Sequence, residues 1–212
     1  GNSLLTSTNQ KNYSATGVLS ETNSSVQYNA DFLPNVSTAF KSNGDQIITK
    51  TYYSNDYNSS VSAAIQLLKT KHAIAVPIAT EKWLKKAVTN EEFLVEASIN
   101  EFIVLPNNDV KIGKVYALEN KEPIAKFIIQ DWNGNTLVRN IGYFKVQQEF
   151  AYNSDGNQVR TTTNAGEISS RIFDYNKRFV TASISNATPA DVAYTSFESD
   201  NMGGWSFAAF NP

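Results

Sequence analysis

His72 is the only histidine in the chain, so a Ser-His-Asp relay or a histidine-ligated metal would have to be built on it. No Glu or His stands near it at ligand spacing. Cysteine is absent, which removes thiolate metal sites and disulfides together. We therefore expect no bound metal or redox cofactor. His72 reads as structural, placed at the end of a helix where an imidazolium meets the negative end of the dipole. Glycoside hydrolysis needs only two carboxylates at a set separation. Asp131, beside Trp132, and Glu149 come nearest to such a pair, although acids beside turns or on exposed strands ordinarily serve the turn or the solvent. Trp83, Trp132 and Trp205 have faces that pack well on sugar rings, and their ordinary role is to cover a sheet. Oxygens between Asp131 and Asn135 leave calcium less constrained than other metals. No Gly-rich loop precedes a Lys-Ser/Thr pair, and Gly203-Gly204 is too generic to bind phosphate by itself. These residues assign no catalytic group and no metal ligand, and leave the binding residues unknown.

The elements that would position such groups follow from composition. In a chain of 212 residues, long enough for a real core, 41% are hydrophobic and only 18% charged. Asn, Ser and Thr fill the gap, and these favour turns and exposed sheet faces because their side chains compete for nearby backbone groups. A net charge of −2, with dispersed lysines and carboxylates, gives no electrostatic reason to expect nucleic acid or an anionic membrane as partner. No apolar run approaches the roughly twenty residues that span a bilayer, and the first residues do not read as a charged-then-apolar signal segment. Gly1 reads as a scar, with an export signal or a preceding domain upstream.

Residues 1–25 are polar, with Val18 and Leu19 as sparse anchors, and read as an extended segment able to lend a strand. A β region is expected from 26 to 198, and a tail over 199–212 as the start of a following module. Within the β region, "STAFKSNGDQIITKTYYSND" is a hairpin turning at Ser42-Asn43-Gly44-Asp45. One stretch carries a helical period: Val61, Ala64, Ile65 and Leu68 fall at i, i+3, i+4 and i+7, predicting a helix from Ser60 to Lys71 capped by Ser59 or Ser60. After the helix, Pro77 removes a donor in the middle of an apolar run and speaks against more helix, and two long strands are expected to join near Thr89-Asn90. In the second of them Phe93, Val95, Ala97 and Ile99 alternate with Leu94, Glu96, Ser98 and Asn100, so the first four should share one apolar face. Further turns are expected at Pro106–Asp109 and at Trp132–Asn135. The fold class is therefore mainly β: an antiparallel meander of hairpins forming a curved sheet, with one principal helix too short to cover it.

A repeat is visible within the meander. Gly134-Asn135 aligns with Gly156-Asn157 at an offset of 22, and Tyr152-Asn153 with Tyr175-Asn176 at an offset of 23. Gly supplies the positive φ of a tight turn, and a Tyr on each rung is expected to stack across the strand pair with its hydroxyl in water. The stretch "FAYNSDGNQV…RIFDYNKRF" resembles the tyrosine-aspartate repeat of the Rhs family, with Asn153 in place of the Asp. "RIFDYNKRFVTASISNATPADVAYTSFESDNMGGW" and "KHAIAVPIATEKWL" resemble the repeat junction of large secreted Rhs-like proteins of Bacteroidetes-type bacteria, and the resemblance covers roughly Phe40 to Trp205. It implies long antiparallel strands curling into a shell or spiral, with no activity of their own. The expectation is thus a non-enzymatic structural segment of an exported cell-surface or secreted protein. Its partners would be the rest of a larger polypeptide or a second copy through an uncovered edge or face. A carbohydrate-binding or adhesion module with a glycan partner is the alternative, and a glycoside hydrolase the third reading.

Overall fold

A computed structural model describes residues 4–57, 62–125, 130–133, 136–139 and 142–194; the side chains at 19–20, 130–133 and 136–139 lie outside the description. Fourteen strands occur among the described residues: β1 Ser7–Ser14, β2 Gly17–Tyr28, β3 Pro34–Phe40, β4 Gln46–Tyr53, β5 Pro77–Lys85, β6 Glu92–Val104, β7 Val110–Leu118, β8 Ile124–Ala125, β9 Gln130–Asn133, β10 Thr136–Arg139, β11 Phe144–Tyr152, β12 Gln158–Thr163, β13 Ile168–Asp174 and β14 Phe179–Ser185. One α-helix, α1 Ala63–Thr70, accompanies them, with 3₁₀ turns at Ser54–Asp56 and Pro189–Asp191. The antiparallel sheet runs β1-β2-β3-β4-β5-β6-β7-β11-β12-β13-β14, with β8 paired to β6, while β9 and β10 form a separate pair. Mainly β structure with one principal helix is what the period-two runs and the single 3.6-residue period require.

Two compact units make up the chain: Gly1–Glu101 with Tyr116–Lys145, and Phe102–Val115 with Val146–Pro212. In the first, β2 runs unbroken through Ser25 and Val26, so the polar N-terminal segment supplies two strands. Helix α1 buries Ala64, Ile65 and Leu68, three of the four positions its periodicity selects; the fourth, Val61, lies outside the described residues. Its cap is Ser62, whose side chain makes no capping bond; Ser59 and Ser60 lie outside the described residues. At its other end His72 N donates to Lys69 O and Ala73 N to Leu68 O, each at 2.9 Å, closing a Schellman motif around His72 at φ 55. Pro77 opens β5, a position where a missing N–H leaves no gap in the ladder.

The apolar face of β6 differs from simple alternation. Glu96 lies opposite Lys82, but Leu94 lies opposite Trp83, so Val95 is an extra residue bulged out of the pairing. The bulge moves the phase by one. Leu94 therefore joins Ala97 and Ile99 in the core, all at 2% exposure or less, while Phe93 and Val95 are half-buried.

Hairpins in both units close with the same five-residue turn. At Asn29–Leu33, Lys41–Asp45, Leu105–Asp109, Asn153–Asn157 and Thr163–Glu167, the first N–H donates to the fifth carbonyl and the fourth N–H to the first carbonyl, at 2.8–3.1 Å. The fourth residue has positive φ each time: Phe32, Gly44, Asn108, Gly156 and Gly166. This is a type I turn followed by a left-handed residue, the usual three-residue hairpin connection. The alignment of Gly134-Asn135 with Gly156-Asn157 does not survive at this level. Two residues separate the paired Asn133 and Thr136, whereas five separate the paired Tyr152 and Gln158. The Tyr-Asn pairs differ too: Tyr152 ends a strand, while Tyr175 and Asn176 are left-handed turn residues.

Candidate functional site

The most unusual chemical environment in the first unit is around Glu81, on the buried side of β5. Register puts Lys50 of β4 directly opposite Glu81, and Tyr52 opposite Ala79. Period two places Ala79, Glu81 and Trp83 on one face, and all three are buried. The Glu81 carboxylate Oε2 accepts from Trp83 Nε1 at 2.8 Å and from the Tyr52 hydroxyl at 3.1 Å. Lys50 Nζ sits 5.1 Å from the centre of the Trp83 ring, a cation–π contact. Burial pushes the Glu81 carboxyl above its ordinary value; the Trp83 and Tyr52 donors and the Lys50 charge oppose that rise. Burial, and then the Glu81 charge, hold the Tyr52 phenol well above the ordinary tyrosine range.

A carboxyl with a raised pKa is the kind of group a general acid requires, but it must also reach a substrate. Here both donors to Oε2 are protein groups. The open depression nearest in sequence lies on the other side of the same strands, lined by Thr49, Thr80, Lys82, Glu96 and Ser98, with Lys82 and Glu96 ion-paired at 3.2 Å. The Glu81 cluster is thus a satisfied polar core. Sequence reasoning passed over it because an acid on a strand reads as exposed; only the Ala79-Glu81-Trp83 spacing hints that it shares the tryptophan's face.

A second acid, Asp45, joins two turns of the same unit. It accepts from Ala87 N at 3.0 Å, Lys86 Nζ at 3.1 Å and Asn43 Nδ2 at 3.1 Å. The Ala87 N–H first, and then Lys86, hold its carboxyl below the usual aspartate value.

In the second unit, Tyr175, Asn176 and Lys177 are three consecutive left-handed residues at φ 52, 58 and 60, a strained turn. Neighbouring groups hold it. Lys177 Nζ pairs with Asp155 at 2.7 Å, Asn157 Nδ2 donates to Lys177 O at 2.6 Å, and Tyr175 N donates to Asp174 Oδ1 at 2.8 Å. The Phe179 ring meets Tyr175 edge-on at 6.1 Å.

The described residues singled out in the sequence lie on separate elements. His72 is an exposed turn residue whose backbone, at the end of α1, makes the contacts described above. Glu149 lies on β11 and pairs with Lys114 at 3.5 Å. Asp131 lies on β9 opposite Val138. The side chains of Asp131 and Trp132, together with Gly134, Asn135, Gly203, Gly204 and Trp205, fall outside the description. Trp83 covers the sheet, so it offers no face for a sugar. Tyrosine hydroxyls bind protein acceptors where water was expected: Tyr152 donates to Ile112 O at 2.8 Å, Tyr53 to Pro34 O at 2.9 Å and Tyr28 to Leu5 O at 2.8 Å. Among the described residues no group of three or more acidic or histidine side chains is arranged to hold a metal ion, and no helix is long and apolar enough to cross a membrane.

No family model matches the chain, and no curated protein matches it.

Proposed function

We propose that this chain is a structural segment of a larger exported, Rhs-like cell-surface or secreted protein, a ladder of hairpins with no catalytic role of its own. The observation that supports this reading is the order of the strands. Within each unit, sequence neighbours pair, β1 through β6 in one and β11 through β14 in the other, and the same five-residue turn recurs between them. A ladder of this kind grows by adding hairpins, and its stability comes from contacts between neighbours. Two of the buried acids fit the same role: Glu81 is bonded to Tyr52 and Trp83, and Asp45 ties together the turns before β4 and after β5.

The test is a glycan array run beside a panel of glycoside, ester and peptide substrates. The expected result is no saturable retention and no turnover. Retention of a glycan that is lost in Trp132→Ala would replace the proposal with a carbohydrate-binding module. Turnover abolished by Asp131→Asn or Glu149→Gln would replace it with a hydrolase.

A further inference from the structure

The first strand and the first half of the second form an arm that the rest of the unit does not cover. Ser24–Tyr28 of β2 pair with β3, but β3 ends at Phe40, one residue beyond the partner of Ser24. Gly17, Val18 and residues 20–22 therefore pair only with β1, with Leu19 left unpaired at a register shift, and β1 has no strand on its outer edge among the described residues. Every residue of β1 is exposed, including Tyr13 at 69%. Gly17, Val18 and residues 21–23 of β2 are exposed as well, and a two-stranded hairpin whose described side chains are exposed is marginal in water. Its internal support is polar: Asn9 Nδ2 donates to Glu21 and Asn23, and Lys11 Nζ lies 3.6 Å from Glu21.

We propose that the outer edge of β1 pairs antiparallel with β1 of a second copy, about a two-fold axis on which Gln10 of one chain faces Gln10 of the other. Hydrogen-bond phase and charge together select this register. Val26 N donates to Thr6 O at 2.9 Å, which makes Thr6–Val26 a hydrogen-bonded pair continuing the register of Ser7 with Ser25. Alternation then turns the backbone groups of Ser7, Asn9 and Lys11 outward. Two such edges bond only when outward residues face outward residues, so the axis must pass through a residue position rather than between two.

Centring on Lys11 would set two ammonium groups against each other, an unfavourable cross-strand pair. Centring on Asn9 pairs only residues 7–11 of β1. Centring on Gln10 pairs residues 7–13 and sets each Lys11 against an Asn9. Lys11 is also the only charge on β1, and Glu21 of its own chain offsets it, so the strand lacks the row of lysines that usually blunts an exposed edge. The pairing holds whether or not the chain is a segment of a larger polypeptide.

Sedimentation equilibrium of the full chain at low salt tests it. Reversible dimerisation is expected. Gln10→Lys and Gln10→Glu should each weaken it, by up to about fivefold, because like charges then meet on the axis. An equimolar mixture of the two variants should associate more strongly than either alone. Lys11→Pro, which removes an outward N–H and leaves the β1–β2 ladder bonds in place, should abolish dimerisation with an unchanged circular dichroism spectrum. A chain that stays monomeric at every concentration overturns the proposal. So does a dimer indifferent to both Gln10 variants, or a mixture no stronger than its parts.

Discussion

Trp83 donates its indole N–H to the Glu81 carboxylate across 2.8 Å, from two residues further along the same strand. The contact is possible because both side chains point into the same face of β5, and each is at most 8% exposed. A buried acid held this way ties the register of β4 and β5 to its hydrogen bonds, because Tyr52 reaches the same oxygen from the neighbouring strand.

Trp83→Phe keeps an aromatic ring in the core and removes one of the two donors to Glu81. Leaving a buried acceptor short of a donor costs about 1–3 kcal/mol. Urea denaturation should show a loss of that size with little change in the slope. An unchanged midpoint would mean that the Trp83–Glu81 bond contributes nothing to stability.

Two of the buried acids, Glu81 and Asp45, give opposite pH responses. The folded pKa of Glu81 is raised above the ordinary 4.5, so its contribution to stability is fully present below the unfolded value and is lost as pH rises through the folded value. Asp45 is lowered below 3.8, so its contribution is present above that value and is lost as pH falls through the folded one. Unfolding free energies measured from pH 3 to 8 should therefore separate Glu81→Gln and Asp45→Asn from the parent at different ends. Raising the pH should favour Glu81→Gln relative to the parent, and lowering it should narrow the deficit of Asp45→Asn. Parallel profiles would contradict both assignments.

Gly156 and Gly166 occupy equivalent turn positions at φ 84 and 82, but their surroundings differ. A β-carbon on Gly166 meets nothing within 4 Å, while one on Gly156 would stand 3.3 Å from Asn107 Nδ2 and 3.5 Å from Asp109 Oδ2. Gly166→Ala should lose only the left-handed backbone term, about 1–2 kcal/mol. Gly156→Ala should lose that and more. Thermal unfolding of the two variants side by side decides it: equal shifts in Tm would mean that the turn around Gly156 yields freely.

What the sequence determined by itself is the set of features governed by neighbours along the chain. Gly44 and Gly156 announce their turns because few other residues take positive φ easily. Ala64, Ile65 and Leu68 announce α1 because its period is local, and Pro77 speaks against a longer helix by lacking a donor. Only the tertiary structure decided what depends on pairing across strands. The bulge at Val95 exists because β5 and β6 differ by one residue in register, and it exchanges Phe93 for Leu94 in the core. Glu81 reads as a surface acid until Lys50, Tyr52 and Trp83 are brought around it by the β4–β5 register. His72 could be placed at a helix end from sequence, but its left-handed backbone became visible only with the Schellman bonds. For the bulge and for Glu81 the deciding partner lies across a hydrogen-bonded ladder, where a one-residue slip turns every following side chain to the opposite face.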